Sequence, residues 1–223
     1  MISRIIMKKY FKIYTCLLTL VFFSHFSYAQ NAFEGIIHLS AQNEERNEKA
    51  SVSWMVSNGN HRLDFDTQTK EGNFKYSLVY KAGQGEAILL TPGTEKNFYY
   101  RVPVSGFPKT TSIPSGAQVT PEPGSKLISG VECKQFSFRS GENSATAWVG
   151  NLPGFGANDI PEFLKTNGIL GALTTNSISG IPLEFVIFNS NHEILSSQNI
   201  VGITRQTVQH SIFEIPAGYE AGN

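Results

Sequence analysis

The chain has 223 residues, and its 18 lysine and arginine residues balance its 18 aspartate and glutamate residues, which gives a formal net charge of zero. Hydrophobic residues make up 40% of the sequence and charged residues 16%, which is enough apolar material for one sizeable folded domain. The lack of a basic excess argues against nucleic acid or an anionic membrane surface as the partner.

The first 29 residues have the pattern of a secretory signal peptide. Four basic residues precede an apolar run over residues 13–23, and Ser27-Tyr28-Ala29 places small residues at positions −3 and −1 of a cleavage site. We therefore expect cleavage after Ala29, a periplasmic or secreted protein, and a single mature domain over residues 30–223. That domain has 194 residues (223 − 29), a net charge of −4 (14 − 18) and no apolar run long enough for a membrane-spanning helix.

The chain from residue 33 onward predicts an antiparallel meander of short strands separated by turns. Asn58-Gly59 lies between two alternating segments and predicts a tight hairpin. Residues 140–143 and 189–192 predict two further hairpin turns. The predicted strands are residues 51–56, 61–66, 76–81, 86–91, 97–102, 133–139, 144–149, 182–189, 193–203 and 206–215.

Two segments between the strands have a different character. Residues 103–124 hold five of the ten prolines and predict a long surface loop or an edge segment whose pairing is blocked. Residues 159–168 predict one short helix, with Asp159 as the capping residue and Gly168 as the end. The apolar, glycine-rich residues 168–176 predict a second half-turn or a flap that packs on the sheet.

Alternation within the strands predicts a sheet with one aromatic, apolar face and one polar face. One short helix is too small to cover such a sheet, so the sheet either curls around a core filled by its own side chains or leaves an apolar hollow for a ligand. The residues predicted to form this face, and to be candidates for ligand binding, are Val52, Trp54, Leu63, Phe65, Phe98, Tyr100, Phe136, Phe138, Phe185 and Ile187.

No residue pattern indicates a catalytic or metal site. The four histidines after the signal segment lack zinc-site spacing, and Asp64 and Asp66 fit exposed strand charges better than a calcium site. Motifs for acyl-serine, nucleotide and dinucleotide chemistry are missing from the sequence. We therefore predict no enzyme activity, no catalytic residues, no metal and no cofactor.

The mature chain has a single cysteine, Cys133, because Cys16 lies within the predicted signal segment. A lone thiol cannot form an internal disulfide. Its neighbours Glu132 and Lys134 supply no clear activating base, so a buried framework position is favoured over a nucleophile. A hydrolase that depends on Cys133 or His192 ranks third among the functional hypotheses.

Several short motifs resemble those of a known family. They are Phe-Glu-Gly at 33–35, Gly-Val-Glu-Cys-Lys-Gln-Phe at 130–136, Ala-Trp-Val at 147–149, Leu-Pro at 152–153 and Ile-Pro-Ala-Gly-Tyr-Glu at 215–220. Together they are similar to the DUF4412 type of exported protein, common in Bacteroidetes, whose fold is thought similar to the periplasmic lipoprotein carriers LolA and LolB. The resemblance implies a strongly curved antiparallel sheet, an unclosed barrel with short helices over an apolar concave side. In the carriers that side receives acyl chains.

Two functional hypotheses follow. The first is an exported, non-enzymatic envelope protein that binds a lipid or acyl chain on the concave face of the sheet. The alternative is a structural or interaction protein with a filled core, which binds an envelope protein or a polysaccharide through surface loops such as residues 103–124.

Overall fold

The computed structural model describes residues 32–106, 113–114, 116–156, 159–165 and 168–222. The predicted signal segment, residues 1–29, lies outside these ranges. Twelve strands are present in the described part of the chain: β1 Gly35–Asn43, β2 Glu48–Ser57, β3 Asn60–Thr69, β4 Gly72–Tyr80, β5 Glu86–Thr91, β6 Asn97–Pro103, β7 Gln118–Ile128, β8 Val131–Ser140, β9 Asn143–Gly150, β10 Ile181–Phe188, β11 Ile194–Arg205 and β12 Tyr219–Ala221. The helices described are α1 Glu162–Lys165 and α2 Gly168–Thr175, with short 3₁₀ turns at Val104–Gly106 and His210–Phe213.

All twelve strands belong to one sheet with the order β12-β6-β5-β4-β3-β2-β1-β11-β10-β9-β8-β7. Strands β1 to β6 form one meander and strands β7 to β11 form a second, and the two are joined where β1 pairs with β11. Every pairing is antiparallel except that of β12 with β6. The predicted class, a mainly antiparallel β protein with few short helices and an unclosed sheet, is confirmed.

The length of the connection from β6 to β7 shows that the sheet curves. Ten inter-strand steps separate these two strands, about 48 Å in a flat sheet. The chain from Pro103 to Gln118 reaches at most about 50 Å when fully extended, and a 3₁₀ turn shortens it. A flat sheet would therefore leave the connection no slack, so β6 and β7 lie closer together than they would in a flat sheet.

The hairpin predicted at Asn58-Gly59 is confirmed. Both residues have left-handed backbone angles, with φ of +50° at Asn58 and +74° at Gly59, and they connect β2 directly to β3. This is the turn geometry that matches the twist of two paired strands. The predicted turns at 140–143 and 189–192 likewise connect β8 to β9 and β10 to β11.

One predicted strand is wrong. Residues 206–215 are not part of any strand, and they contain the 3₁₀ turn His210–Phe213 with extended residues on both sides of it. Phe213 is fully buried and packs with Val79, Ile88 and Leu90 in a cluster on the opposite face from Trp54. The alternating apolar residues of this segment therefore cover the sheet instead of pairing within it, and this face is less polar than predicted.

The loop predicted over residues 103–124 ends earlier than expected. Strand β7 begins at Gln118, although residues 107–112 and 115 lie outside the described part of the chain. β7 is the edge of the sheet, and its pairing with β8 is interrupted by a bulge between Pro121 and Ser125. Prolines are tolerated at edges and bulges because no second strand needs their missing N–H groups. The edge alternative is correct in the position of residues 118–124, but these residues belong to strand β7, which was not among the predicted strands.

The predicted helix over residues 159–168 begins later than expected. Within the described ranges α1 covers Glu162–Lys165, and Gly168, predicted as an end, instead begins α2. Gly168 has a φ of +64°, a conformation that glycine adopts at no steric cost. The residues after it form a second helix because Ile169, Ala172 and Leu173 all bury on the sheet.

Candidate functional site

The ten predicted residues share one face of the sheet, which we call the apolar face. Trp54 lies opposite Leu63, and the same register continues through Leu78 and Leu89 to Tyr100 on β6. In the other direction Ala41 lies opposite Gln198, which faces Phe185 on β10. Ala147 of β9 then lies between Phe185 and Phe136. The alternation read from the sequence therefore assigns these side chains to the correct common side.

The segment from Leu152 to Thr175 covers much of the apolar face. Leu152, Phe155 and Ile160 belong to the same buried cluster as Trp54. Phe163 of α1 packs with Leu78 and Ala87, and its ring lies 5.5 Å from that of Tyr80. α2 packs over Ala145 and Ala147, whose small side chains leave room for a helix. These contacts account for the burial of a large part of the predicted face.

Five of the ten predicted residues are side chains of the packed core. They are Val52, Trp54, Leu63, Phe138 and Ile187, and Phe138 is completely inaccessible. The ring of Phe155 lies 5.3 Å from that of Trp54 in an edge-to-face arrangement. Phe65 is half-buried and stacks on Tyr76 at 4.6 Å.

An apolar cleft of about 340 Å³ remains between α2 and the sheet, and we call it the α2 cleft. Its volume lies within the range typical of sites for small ligands. Phe185 and Ile187, two of the ten predicted residues, line it. The full lining is Asn43, Ile113, Gly168, Ile169, Leu170, Pro182, Phe185, Ile187, Ser196 and Gln198.

The polar groups of the α2 cleft lie on β1 and β11. Ser196 lies opposite Ile187, and Gln198 lies opposite Phe185, so hydroxyl and amide groups stand beside apolar side chains. Both are half-buried, and neither side chain forms a hydrogen bond with the part of the protein that the structure describes. The Asn43 side-chain oxygen accepts a hydrogen bond from the Arg46 amide at 3.0 Å, which leaves the Asn43 amide group as a donor.

The apolar face continues from the α2 cleft across the centre of the sheet. Ala41 lies opposite Ala50, and Ala50 lies opposite Thr67, so small side chains form the floor there. Beyond them lie the stacked Phe65 and Tyr76 and the exposed ring of Phe74. Five inter-strand steps separate β10 from β4, about 24 Å along the sheet. The centre of the apolar face therefore carries small side chains, with a group of large side chains on each side.

The remaining predicted residues lie in other surroundings. Phe136 lines a second, more polar cleft of about 580 Å³ at the far end of α2, together with Lys134, Asn151 and Ser177. Phe98 and Tyr100 are half-buried on β6, close to the β12 edge. A side chain on Gly222 would collide with the Tyr100 ring, so the C-terminal backbone packs directly against it.

Cys133 is a framework residue, as the sequence favoured. It is completely buried, its Sγ donates a weak hydrogen bond to the Val131 carbonyl at 3.4 Å, and burial raises the pKa of its thiol. A raised pKa disfavours the reactive thiolate. A side chain at Gly150 would lie 2.9 Å from the Cys133 sulfur, which shows how closely the neighbouring strand packs.

Asp64, Asp66 and His38, which were considered from the sequence, have structural partners. Asp64 pairs with Arg62 and Asp66 pairs with Lys75, as expected of strand charges. His38 Nδ1 lies 3.2 Å from the Ser53 hydroxyl. Within the described ranges, no three His, Cys, Asp or Glu side chains form a group that could hold a metal ion. In the same part of the chain, no helix has both the length and the apolar character needed to cross a membrane.

Comparison with known proteins identifies the family. The model of a domain of unknown function, DUF4412, matches residues 33–219. The chain belongs to the DUF4412 family. The family resemblance inferred from the short motifs is therefore confirmed, and the DUF4412 match spans both helices, the whole apolar face and the α2 cleft. A comparison with curated proteins found no match.

Several solved structures are similar at low sequence identity. An uncharacterized conserved protein from Thermus thermophilus is 11% identical with a TM-score of 0.49, covering 85% of this chain and 91% of that one. The MucA/MucB complex from Pseudomonas aeruginosa contains a chain that is 10% identical with a TM-score of 0.43, covering 85% and 57%. PNGF-II is 10% identical with a TM-score of 0.39, covering 86% and 31%. At these values the similarity carries no conclusion about function.

Proposed function

We propose that this DUF4412 protein is an exported, non-enzymatic envelope protein that binds an apolar ligand, a lipid or an acyl chain, in the α2 cleft. The observation that carries the proposal is an apolar cleft on a face that covering segments bury in large part. Phe185, Ile187 and Leu170 offer apolar contact there, and Ser196 and Gln198 offer hydrogen bonds. Mostly apolar walls with a few polar groups are typical of small-molecule sites.

Two further observations support this proposal. The small side chains of Ala41 and Ala50 leave a shallow apolar strip on the sheet, which continues from the cleft towards Phe65 and Tyr76. A flexible chain longer than the cleft itself would find further apolar contact along this line. The resemblance to lipoprotein carriers, in which an apolar hollow receives acyl chains, points to the same ligand class.

The filled part of the apolar face favours the alternative function. Trp54, Leu63 and Phe138 already pack inside the protein, so a ligand would use only a fraction of the predicted face. A protein of this kind could act through its surface, where Leu127 of the edge strand β7 is 73% exposed. Binding of a protein or polysaccharide partner is therefore the second candidate.

Two neighbouring serines on β11 give a matched test. Ser196 faces the α2 cleft and Ser197 faces the opposite side of the sheet, and both are half-buried. We expect Ser196→Phe to fill the cleft and to weaken binding of an environment-sensitive apolar fluorophore by about tenfold or more, because a phenyl ring takes the space of the probe. Fluorescence titration of the purified mature protein measures this.

Ser197→Phe is the control, since it adds the same ring on the same strand. We expect it to bind the fluorophore like the unmodified protein. Circular dichroism and the urea midpoint report whether each variant is folded. Equal binding by both folded variants would place the fluorophore elsewhere and would remove the main support for the proposal.

A further inference from the structure

We infer that the α2 cleft selects an acyl chain that carries an uncharged hydrogen-bonding group, such as an ester, amide or hydroxyl, over a free fatty acid. This inference rests on the proposed function and specifies the ligand class of the same site. The evidence for it is the charge of the residues at and around the cleft, whereas the evidence for lipid binding is the apolar character of the lining.

The lining of the cleft contains polar groups but no charge. Among the described residues that line it, none is Lys, Arg, His, Asp or Glu, while Asn43, Ser196 and Gln198 provide amide and hydroxyl groups. An ionised carboxylate that enters such a site loses water without gaining an opposite charge, which is costly. An ester or a hydroxyl needs only the hydrogen bonds that these side chains can supply.

The half-buried polar groups are positioned to be used by a ligand. Gln198 and Ser196 stand between apolar side chains and have no side-chain hydrogen bond within the described part of the protein. The Asn43 amide nitrogen is a donor at the same end of the cleft. A ligand carbonyl could accept from Asn43 or Gln198, and a ligand hydroxyl could donate to the Gln198 oxygen.

The charged side chains of the β1–β2 turn and the start of β2, next to Asn43 at this end, are predominantly negative. Glu48 lies directly opposite Asn43 on the same face and is half-buried. The turn between β1 and β2 carries Glu44, Glu45 and Arg46, so residues 43–48 have three acidic groups and one basic group, a net charge of −2. These groups repel an anionic head group and leave a neutral one unaffected.

The test compares two ligands with the same acyl chain. Displacement of the bound apolar fluorophore is measured at pH 8 and low salt with monooleoylglycerol, which is neutral, and with oleate, which is ionised. We expect monooleoylglycerol to displace the probe at a concentration lower by roughly tenfold or more, because the oleate carboxylate meets no cation among the described residues that line the cleft. Both ligands are used below their aggregation concentrations.

Charge reversal at Glu48 tests whether the charge beside the cleft, and not the net charge of the protein, controls displacement by oleate. Glu48→Lys is expected to improve displacement by oleate several-fold and to leave monooleoylglycerol unchanged. Glu95→Lys, in the exposed turn between β5 and β6 and six inter-strand steps from β10, makes the same change in net charge and is expected to alter neither ligand.

The outcomes distinguish this inference from the proposed function. Equal or stronger displacement by oleate, or an equal response of the Glu48 and Glu95 variants, overturns the selectivity and leaves apolar binding in place. Failure of both ligands to displace the probe or to bind directly overturns the proposed function, and the inference falls with it.

Discussion

His61 joins the sheet to the segment that covers it. Trp54 Nε1 donates a hydrogen bond to His61 Nδ1 at 3.2 Å, and the backbone of Asp159 accepts a second hydrogen bond from the ring. The His61 side chain is almost completely buried, and burial lowers its pKa to about 4 despite the nearby Asp159 carboxylate. The ring is therefore neutral at pH 7, with Nδ1 as the acceptor for the tryptophan.

This lowered pKa predicts a loss of stability in mild acid. An unfolded histidine binds a proton near pH 6.5, whereas folded His61 does so only near pH 4, so the unfolded state gains protons first as the pH falls. The contribution of His61 is complete above pH 6.5 and is lost between pH 6.5 and 4, by up to about 3 kcal/mol. Urea unfolding at pH 7.5, 6.0 and 5.0 measures this slope.

His61→Gln provides the comparison because glutamine can accept from Trp54 and donate to Asp159 without titrating. We expect the free energy of unfolding of this variant to fall much less between pH 7.5 and 5.0. The same slope in both proteins would mean that His61 is not the group that titrates.

At the scale of single elements, the sequence predicted strands well where hairpins and alternation act together. β2 and β3 were predictable because Asn58-Gly59 fixes the turn, and the turn fixes which side chains share a face. Residues 206–215 show the limit of alternation. Their apolar side chains have a strand-like spacing, but Phe213 buries beneath a 3₁₀ turn on the opposite face. Alternation alone cannot distinguish pairing within a sheet from packing on it.

This covering role of the 3₁₀ turn can be tested at Phe213. The side chain is completely buried against Val79, Ile88 and Leu90, so Phe213→Ala should lower the free energy of unfolding by about 3–5 kcal/mol. His210→Ala, in the same turn, removes an exposed pair with Glu214 and a tilted ring contact with Phe213 at 6.4 Å, and should change the free energy of unfolding by less than about 1 kcal/mol. Urea unfolding of both variants at pH 7.5 gives the two values. Similar values would show that the turn does not cover a core.

At the scale of the whole molecule, the sequence identified the face but not the cleft. All ten predicted residues lie on the apolar face, yet only Phe185 and Ile187 line the α2 cleft. The difference depends on α2, which fills the face above Ala145 and Ala147 and leaves space beside β10 and β11. The position of a covering helix depends on contacts between distant segments, which strand periodicity does not contain. Ser196 and Gln198 were not predicted as ligand-binding residues. A polar residue on the apolar face only interrupts the alternation along a strand, and the sequence does not show whether it binds a ligand.

The most direct test of the central claim, an apolar ligand in the α2 cleft, is native mass spectrometry of the protein after expression with export and purification without detergent. We predict a reproducible added mass that organic solvent extracts, that persists in Ser197→Phe, and that is lost in Ser196→Phe. A bare mass for the unmodified protein, which stays bare after incubation with monooleoylglycerol, would contradict the account and favour a filled core that acts through its surface.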